Sequence, residues 1–146
     1  MINILATDIL RALQTRDETI QWYLDKQTGQ MHPFSKEEKG LDKDDEFLDN
    51  LREDPDRFFA IEEIPRQNRY KFMVNFIDQV EDGRMRVEVA QAVAHKMPFK
   101  SFNKMMDHNP DLKMQWVRYQ ATRQLKYMMA WFKYNEIDAM LKMPGA

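Results

Sequence analysis

A clear helix start stands at Asn109-Pro110-Asp111. Asparagine is a capping residue, proline suits the first helical position, and an acid in the first turn complements the helix dipole. The spacing predicts a helix from Pro110 to about Tyr134, continuing or kinking through Asn135 toward Leu141. Its apolar residues fall on two sides. Leu112, Trp116, Tyr119 and Tyr127 lie on one, and Met114, Val117, Ala121, Leu125 and Phe132 on the other. A helix apolar on two sides is expected to be central, covered by several neighbours. With 146 residues, the chain is read as one domain, 1–146, with one sizeable core.

Three more helical patterns precede it. Tyr70, Met73, Phe76, Ile77 and Val80 recur at three- and four-residue spacing, and Asp82-Gly83 breaks that helix. Met85, Val89, Ala92 and Val93 form the face of the next. Pro98 opens a third, with Phe99, Phe102 and Met106 on one side. Upstream the pattern changes. Ile2, Leu5, Ile9 and Leu13 predict an amphipathic helix over residues 2–13. Thr19 to Leu24 and Gln30 to Phe34 then read as a β-hairpin, with Gly29 supplying the positive φ of its turn. Pro33 places the second strand at an edge or at its end. Ser35 with Glu38 has the form of a capping box, and Phe47, Leu48 and Leu51 predict a short helix ending near Asp54-Pro55. Phe58 to Ile61 is a third strand. The predicted fold is α+β: a small antiparallel sheet of hairpin plus third strand, followed by a helical bundle with a long C-terminal helix.

The formal net charge is only −2, which taken whole argues against an anionic partner. Split at Pro65 it becomes informative. Residues 1–65 carry 8 basic and 16 acidic side chains, a net of −8. Residues 66–146 carry 14 and 8, a net of +6. The chain is thus an acidic helix-plus-sheet half followed by a basic helical half. Between Lys96 and Lys133 eight basic residues stand against Asp107 and Asp111, with aromatics interleaved. One reading is a basic surface for phosphate or an acidic partner. The other is an amphipathic helix set with its rings inside, and the rings are better read that way. Arg118 and Lys126 share a polar face. Arg123 falls instead with Trp116, Tyr119 and Tyr127, where a guanidinium stacks on a ring or pairs with a carboxylate. Lys100, Lys104, Arg118, Arg123 and Lys126 form the candidate anion or partner site.

Catalytic patterns are sparse. Cysteine is absent, so thiol chemistry and zinc-thiolate sites are excluded. The four glycines are too scattered for a phosphate cradle. His32, His95 and His108 lack metal-ligand spacing, and His32 reads as a surface or turn histidine. Asp42, Asp44, Glu46 and Glu53 have a calcium-loop spacing, but Phe47 occupies the place that requires glycine. No catalytic residue, metal or cofactor is assigned. No apolar run reaches the ~18 residues of a membrane span, and Met1 to Asp8 has no signal-peptide form. The expectation is a cytoplasmic protein without a membrane segment.

Several segments together resemble a known family. Trp22 to Met31 is similar to an aromatic-Leu-Asp-x-x-Thr-Gly-Glu-Val hairpin. Asp54 to Ile61 with Ile64-Pro65 resembles an Asp-Pro-x-Arg-aromatic strand with an Ile-Pro exit. Tyr70 to Ile77 resembles a Met-x-x-Phe-Ile helix, Phe99 to Lys104 a Phe-x-x-Phe-Lys segment, and Trp116, Tyr119, Arg123 and Trp131 a final helix. In this order, from about residue 4 to 137, they resemble an uncharacterised bacterial family, one of the UPF-numbered ones. The run Ala94 to Phe102 departs from it where the family carries glycines and an Arg-Arg pair. The resemblance implies a small α+β protein and no particular activity. The residues themselves favour a non-enzymatic binding or regulatory protein acting through protein contacts, as a monomer or weak homodimer. The alternative is a nucleic-acid-binding protein using the face Lys96–Lys133.

Overall fold

In a computed structural model, residues 1–15, 18–35 and 42–143 are described. The elements run β1 (Ile2–Leu5), α1 (Ala6–Gln14), β2 (Ile20–Asp25), β3 (Met31–Ser35), α2 (Asp42–Glu53), a 3₁₀ turn (Pro55–Arg57), β4 (Phe58–Ala60) and α3 (Arg66–Phe76). A second 3₁₀ turn (Ile77–Gln79), α4 (Gly83–Val93), α5 (Pro98–His108), α6 (Pro110–Tyr134) and β5 (Ala139–Lys142) complete the order. The α+β class and the long C-terminal helix are as the sequence predicts. The chain gathers into two compact units, one of Met1–Glu63 with Leu125–Ala146, the other of Ile64–Gln124. Helix α6 contributes residues to both.

The first unit holds both sheets. Strands β3, β2 and β4 form an antiparallel sheet in that order, with Trp22 opposite Pro33 and Leu24 between Met31 and Phe59. β3 is an edge strand, which is where a proline without an N–H is tolerated. Gly29 has φ +78° in the hairpin turn, and its N–H donates to the Asp25 carbonyl at 2.8 Å. A β-carbon there would collide with the Asn3 carbonyl oxygen. Glycine is therefore required twice, by the turn and by the close approach of β1.

The second sheet was not foreseen. β1 pairs in parallel with β5, Ile2 opposite Ala139 and Leu5 opposite Lys142. The helix predicted over residues 2–13 therefore starts only at Ala6. Its first turn, Ile2-Asn3-Ile4-Leu5, is extended because the chain's far end brings a partner strand, and long-range pairing overrides local periodicity. The far end also differs from the prediction. α6 neither continues nor kinks beyond Tyr134: Asn135 Nδ2 donates to the Trp131 carbonyl at 2.8 Å, and Glu136 turns the chain with φ +58°. Ile4, Ile9, Leu24, Met128 and Phe132 are fully buried in this unit's core.

The second unit is helical. Asp82 caps α4, its Oδ1 accepting from the N–H groups of Arg84 (3.0 Å) and Met85 (3.1 Å). Phe76, Phe102 and Trp116 meet edge to face, with centroids 4.7 Å apart for Phe102–Trp116 and 5.3 Å for Phe76–Trp116. Met73, Val89 and Met106 fill around them. Asn109 stands at the start of α6 as predicted, its carbonyl accepting the Lys113 N–H at 2.9 Å. Its side-chain amide turns back to the Met105 carbonyl at 2.8 Å and so closes the last turn of α5. The two apolar sides of α6 are each buried over part of its length. Leu112 and Trp116 pack in this unit and Leu125, Met128 and Phe132 in the first, whereas Met114 and Val117 stay about half exposed (56% and 48%). Full coverage of both sides, as the sequence suggested, is not found.

The capping box of Ser35 and Glu38 falls partly outside the described residues. The calcium-like acidic spacing lies in α2, a regular helix rather than a liganding loop.

Candidate functional site

The five predicted cations sit on two helices. Lys100 and Lys104 stand one turn apart on α5, and Arg118, Arg123 and Lys126 follow on α6. Lys100, Lys104, Arg118 and Lys126 are exposed and Arg123 is half-buried. Four belong to the second unit, whereas Lys126 belongs to the stretch that returns to the first. The second unit has 11 basic and 6 acidic side chains, a net of +5, and the first has 11 and 18, a net of −7.

Arg123 is held by its own helix. Its Nε donates to the Tyr119 hydroxyl at 3.1 Å, and its guanidinium carbon lies 5.1 Å from that ring's centroid. Phe102, Trp116 and Phe132 are buried, so these rings pack in cores and offer no face for base stacking. The segment Asp107-His108-Asn109 is also committed locally. Asp107 pairs with Lys113 Nζ at 2.9 Å. His108 Nδ1 donates to the Lys104 carbonyl at 2.7 Å. Beside it an open groove of about 510 Å³ is lined by Glu88, His95, Ser101, Lys104 and His108.

The strongest electrostatic feature among the described residues lies elsewhere and is not singled out by the sequence. Asp25, at the end of β2, is 2% exposed. Arg57 grips it with both prongs, Nε to Oδ1 at 2.9 Å and Nη2 to Oδ2 at 2.8 Å. The Gln27 N–H donates to Oδ1 at 2.9 Å. Burial pushes against the charged carboxylate. The Arg57 hydrogen bonds, the Gln27 N–H, the Thr28 hydroxyl and the guanidinium charge outweigh it and lower the pKa to about 2. The same pairing raises the pKa of Arg57. The guanidinium also lies 5.1 Å from the Phe58 centroid, and the Lys26 N–H donates to the Arg57 carbonyl at 2.8 Å. His32 belongs to the same neighbourhood. Read from sequence as a surface or turn histidine, it is half-buried in β3 against Phe47 and Phe58, with centroids 5.6 and 6.4 Å away.

The clamp joins two of the sequence segments that carry the family resemblance: the Asp-x-x-Thr-Gly turn at Asp25 and the Asp-Pro-x-Arg-aromatic strand at Arg57. The chain matches the Uncharacterised protein family (UPF0158) over residues 2–143. It belongs to the UPF0158 family. A bacterial relative, the UPF0158 protein PA5073 of Pseudomonas aeruginosa, is 29% identical over 120 residues, covering 82% of this chain and 75% of the relative. No solved structure matches the chain. Among the described residues of this UPF0158 protein, no helix is long and apolar enough to cross a membrane.

Proposed function

We propose that this UPF0158 protein is a non-enzymatic binding protein of the cytoplasm whose second unit docks an acidic protein surface through the open side of α6. The observation that carries the reading is the pair Met114 and Val117, large apolar side chains left about half in water one turn apart. Arg118 is exposed beside them. Apolar residues at i and i+3 flanked by charge are the pattern by which a helix seats in a partner's groove. The net charge of +5 on this unit favours an acidic partner and speeds its encounter. A non-enzymatic role is supported by the fate of the most perturbed carboxylate among the described residues. Asp25 is locked in an ion pair with a pKa of about 2 and is no proton carrier at neutral pH.

The test is a photo-crosslinking residue placed at Val117 in living bacterial cells, with the exposed Val87 of α4 as the reference position. One discrete adduct, sensitive to protease, resistant to nuclease and lost in Arg118→Glu, is the expected result. A nuclease-sensitive adduct would replace this reading with nucleic-acid binding by the Lys96–Lys133 face. Equal yields at Val117 and Val87 would overturn both.

A further inference from the structure

The β1–β5 ribbon is an incomplete sheet. Parallel strands occur almost always inside larger sheets covered on both faces, and an isolated two-stranded ribbon is marginal. Here the outer face is open: Leu5 is 51% and Met140 46% exposed. The two edges differ. The ladder begins with the Ile2 N–H donating to the Asp138 carbonyl at 2.8 Å. Asp138, Met140 and Lys142 therefore turn their backbone groups toward β1, while Ala139 and Leu141 turn theirs away. The free edge of β1 is closed by Gly29 against the Asn3 carbonyl. Along the free edge of β5, Ala139 and Leu141 make no backbone hydrogen bond among the described residues.

We infer that this edge pairs with a second copy of the same chain, β5 against β5 across a two-fold axis at Met140, giving a four-stranded sheet β1-β5-β5-β1. The sequence Asp138-Ala139-Met140-Leu141-Lys142 is self-complementary in that register. Ala139 of each copy meets Leu141 of the other in a hydrogen-bonded pair, using the backbone groups that point outward. Met140 meets Met140, and Asp138 meets Lys142 twice, all on the open face, where Met140 is about half exposed and Asp138 and Lys142 are exposed. Opposite charges facing across antiparallel strands stabilise the pairing, and like charges there oppose it. A lysine on an edge strand ordinarily discourages pairing. Asp138 turns Lys142 into a register mark, since the two lie about 13 Å apart on their own strand and cannot pair within one copy. Among the described residues Asp138 makes one ion pair, with the amino terminus of Met1 at 3.8 Å, itself exposed. A pairing this short falls well below the about 1,600 Å² of a standard interface, so the dimer forms reversibly as concentration rises.

The chain has no cysteine, which allows a clean test. In Met140→Cys the two thiols face each other in a non-hydrogen-bonded pair with Cα atoms about 4.5 Å apart, within disulfide range. In Met143→Cys they are about 20 Å apart. Mild oxidation at micromolar protein should give a disulfide dimer at least tenfold faster in Met140→Cys. Equal rates would overturn the inference. Sedimentation equilibrium of the cysteine-free protein provides the second arm. Lys142→Asp should weaken dimerisation at least tenfold, and the double variant Asp138→Lys/Lys142→Asp should restore it to within threefold. A monomer at every concentration, or a double variant no better than the single one, would overturn it as well.

Discussion

The two units are stabilised by different means. In the first, specificity rests on a few contacts that only one residue type can make: Gly29 against the Asn3 carbonyl, and Arg57 forked onto a buried Asp25. In the second, Phe76, Phe102 and Trp116 interlock among methionines. That cluster depends on volume and ring geometry rather than on single atoms. A lock of the first kind fails outright when one group is changed. A ring cluster of the second kind loses stability in proportion to what is removed. The difference also reaches the surface. The first unit commits the half-buried Arg57 to a buried carboxylate, while the second leaves Lys100, Lys104 and Arg118 in water.

The largest effect is expected at Gly29. Gly29→Ala adds a β-carbon both to a left-handed backbone and into a neighbouring carbonyl, and should cost more than about 4 kcal/mol in urea denaturation. A loss below about 1 kcal/mol would break the claim that the turn and β1 lock together. Phe102→Ala, which removes a fully buried ring, should cost about 4 kcal/mol, with Phe102→Leu recovering most of it. Equal losses for both would mean that edge-to-face geometry, not volume, governs the second unit.

Next comes the clamp. Asp25→Ala should cost about 3 kcal/mol at pH 7. Arg57→Ala should cost more than Asp25→Ala at that pH, because it strands a buried carboxylate, and the order should reverse in acid as Asp25 takes up a proton. The pH dependence follows from the depressed pKa. A carboxylate at about 2 in the fold, against 3.8 ordinarily, contributes its stability in full above about pH 5. That contribution, about 2 kcal/mol, is lost as pH falls toward 2. Asp25→Ala should flatten this acid limb, and an unchanged limb would assign acid sensitivity to other carboxylates. The smallest effect belongs to Arg123. Arg123→Ala removes an intrahelical stack on Tyr119 and should cost less than about 1 kcal/mol.

The second unit was legible in the sequence because its elements are local. Pro98, Asp82-Gly83 and Asn109-Pro110 mark its helix boundaries with residues whose effects span a few positions. The hairpin was legible for the same reason. The parallel pairing of β1 with β5 was not, since it joins Ile2 to Ala139 and nothing in either tetrapeptide names the other. The Asp25–Arg57 clamp was equally hidden. The turn at Asp25 is readable from Asp-x-x-Thr-Gly, but the burial of its carboxylate depends on an arginine 32 positions away. Of the predicted site, Arg123 stacks on an aromatic ring, one of the two roles its helical position allowed. Asn109 starts α6 through its carbonyl, and its side-chain amide also closes the helix behind it, a second role that its spacing did not announce.

The most direct test of the clamp is the Asp25 side-chain carboxyl carbon, followed by NMR across an acid titration of the folded protein. A midpoint near pH 2 is expected in the parent, rising above the ordinary carboxylate range in Arg57→Ala, where burial acts without its counterion. A parent midpoint at or above 3.8, or one that Arg57→Ala leaves unmoved, would contradict it.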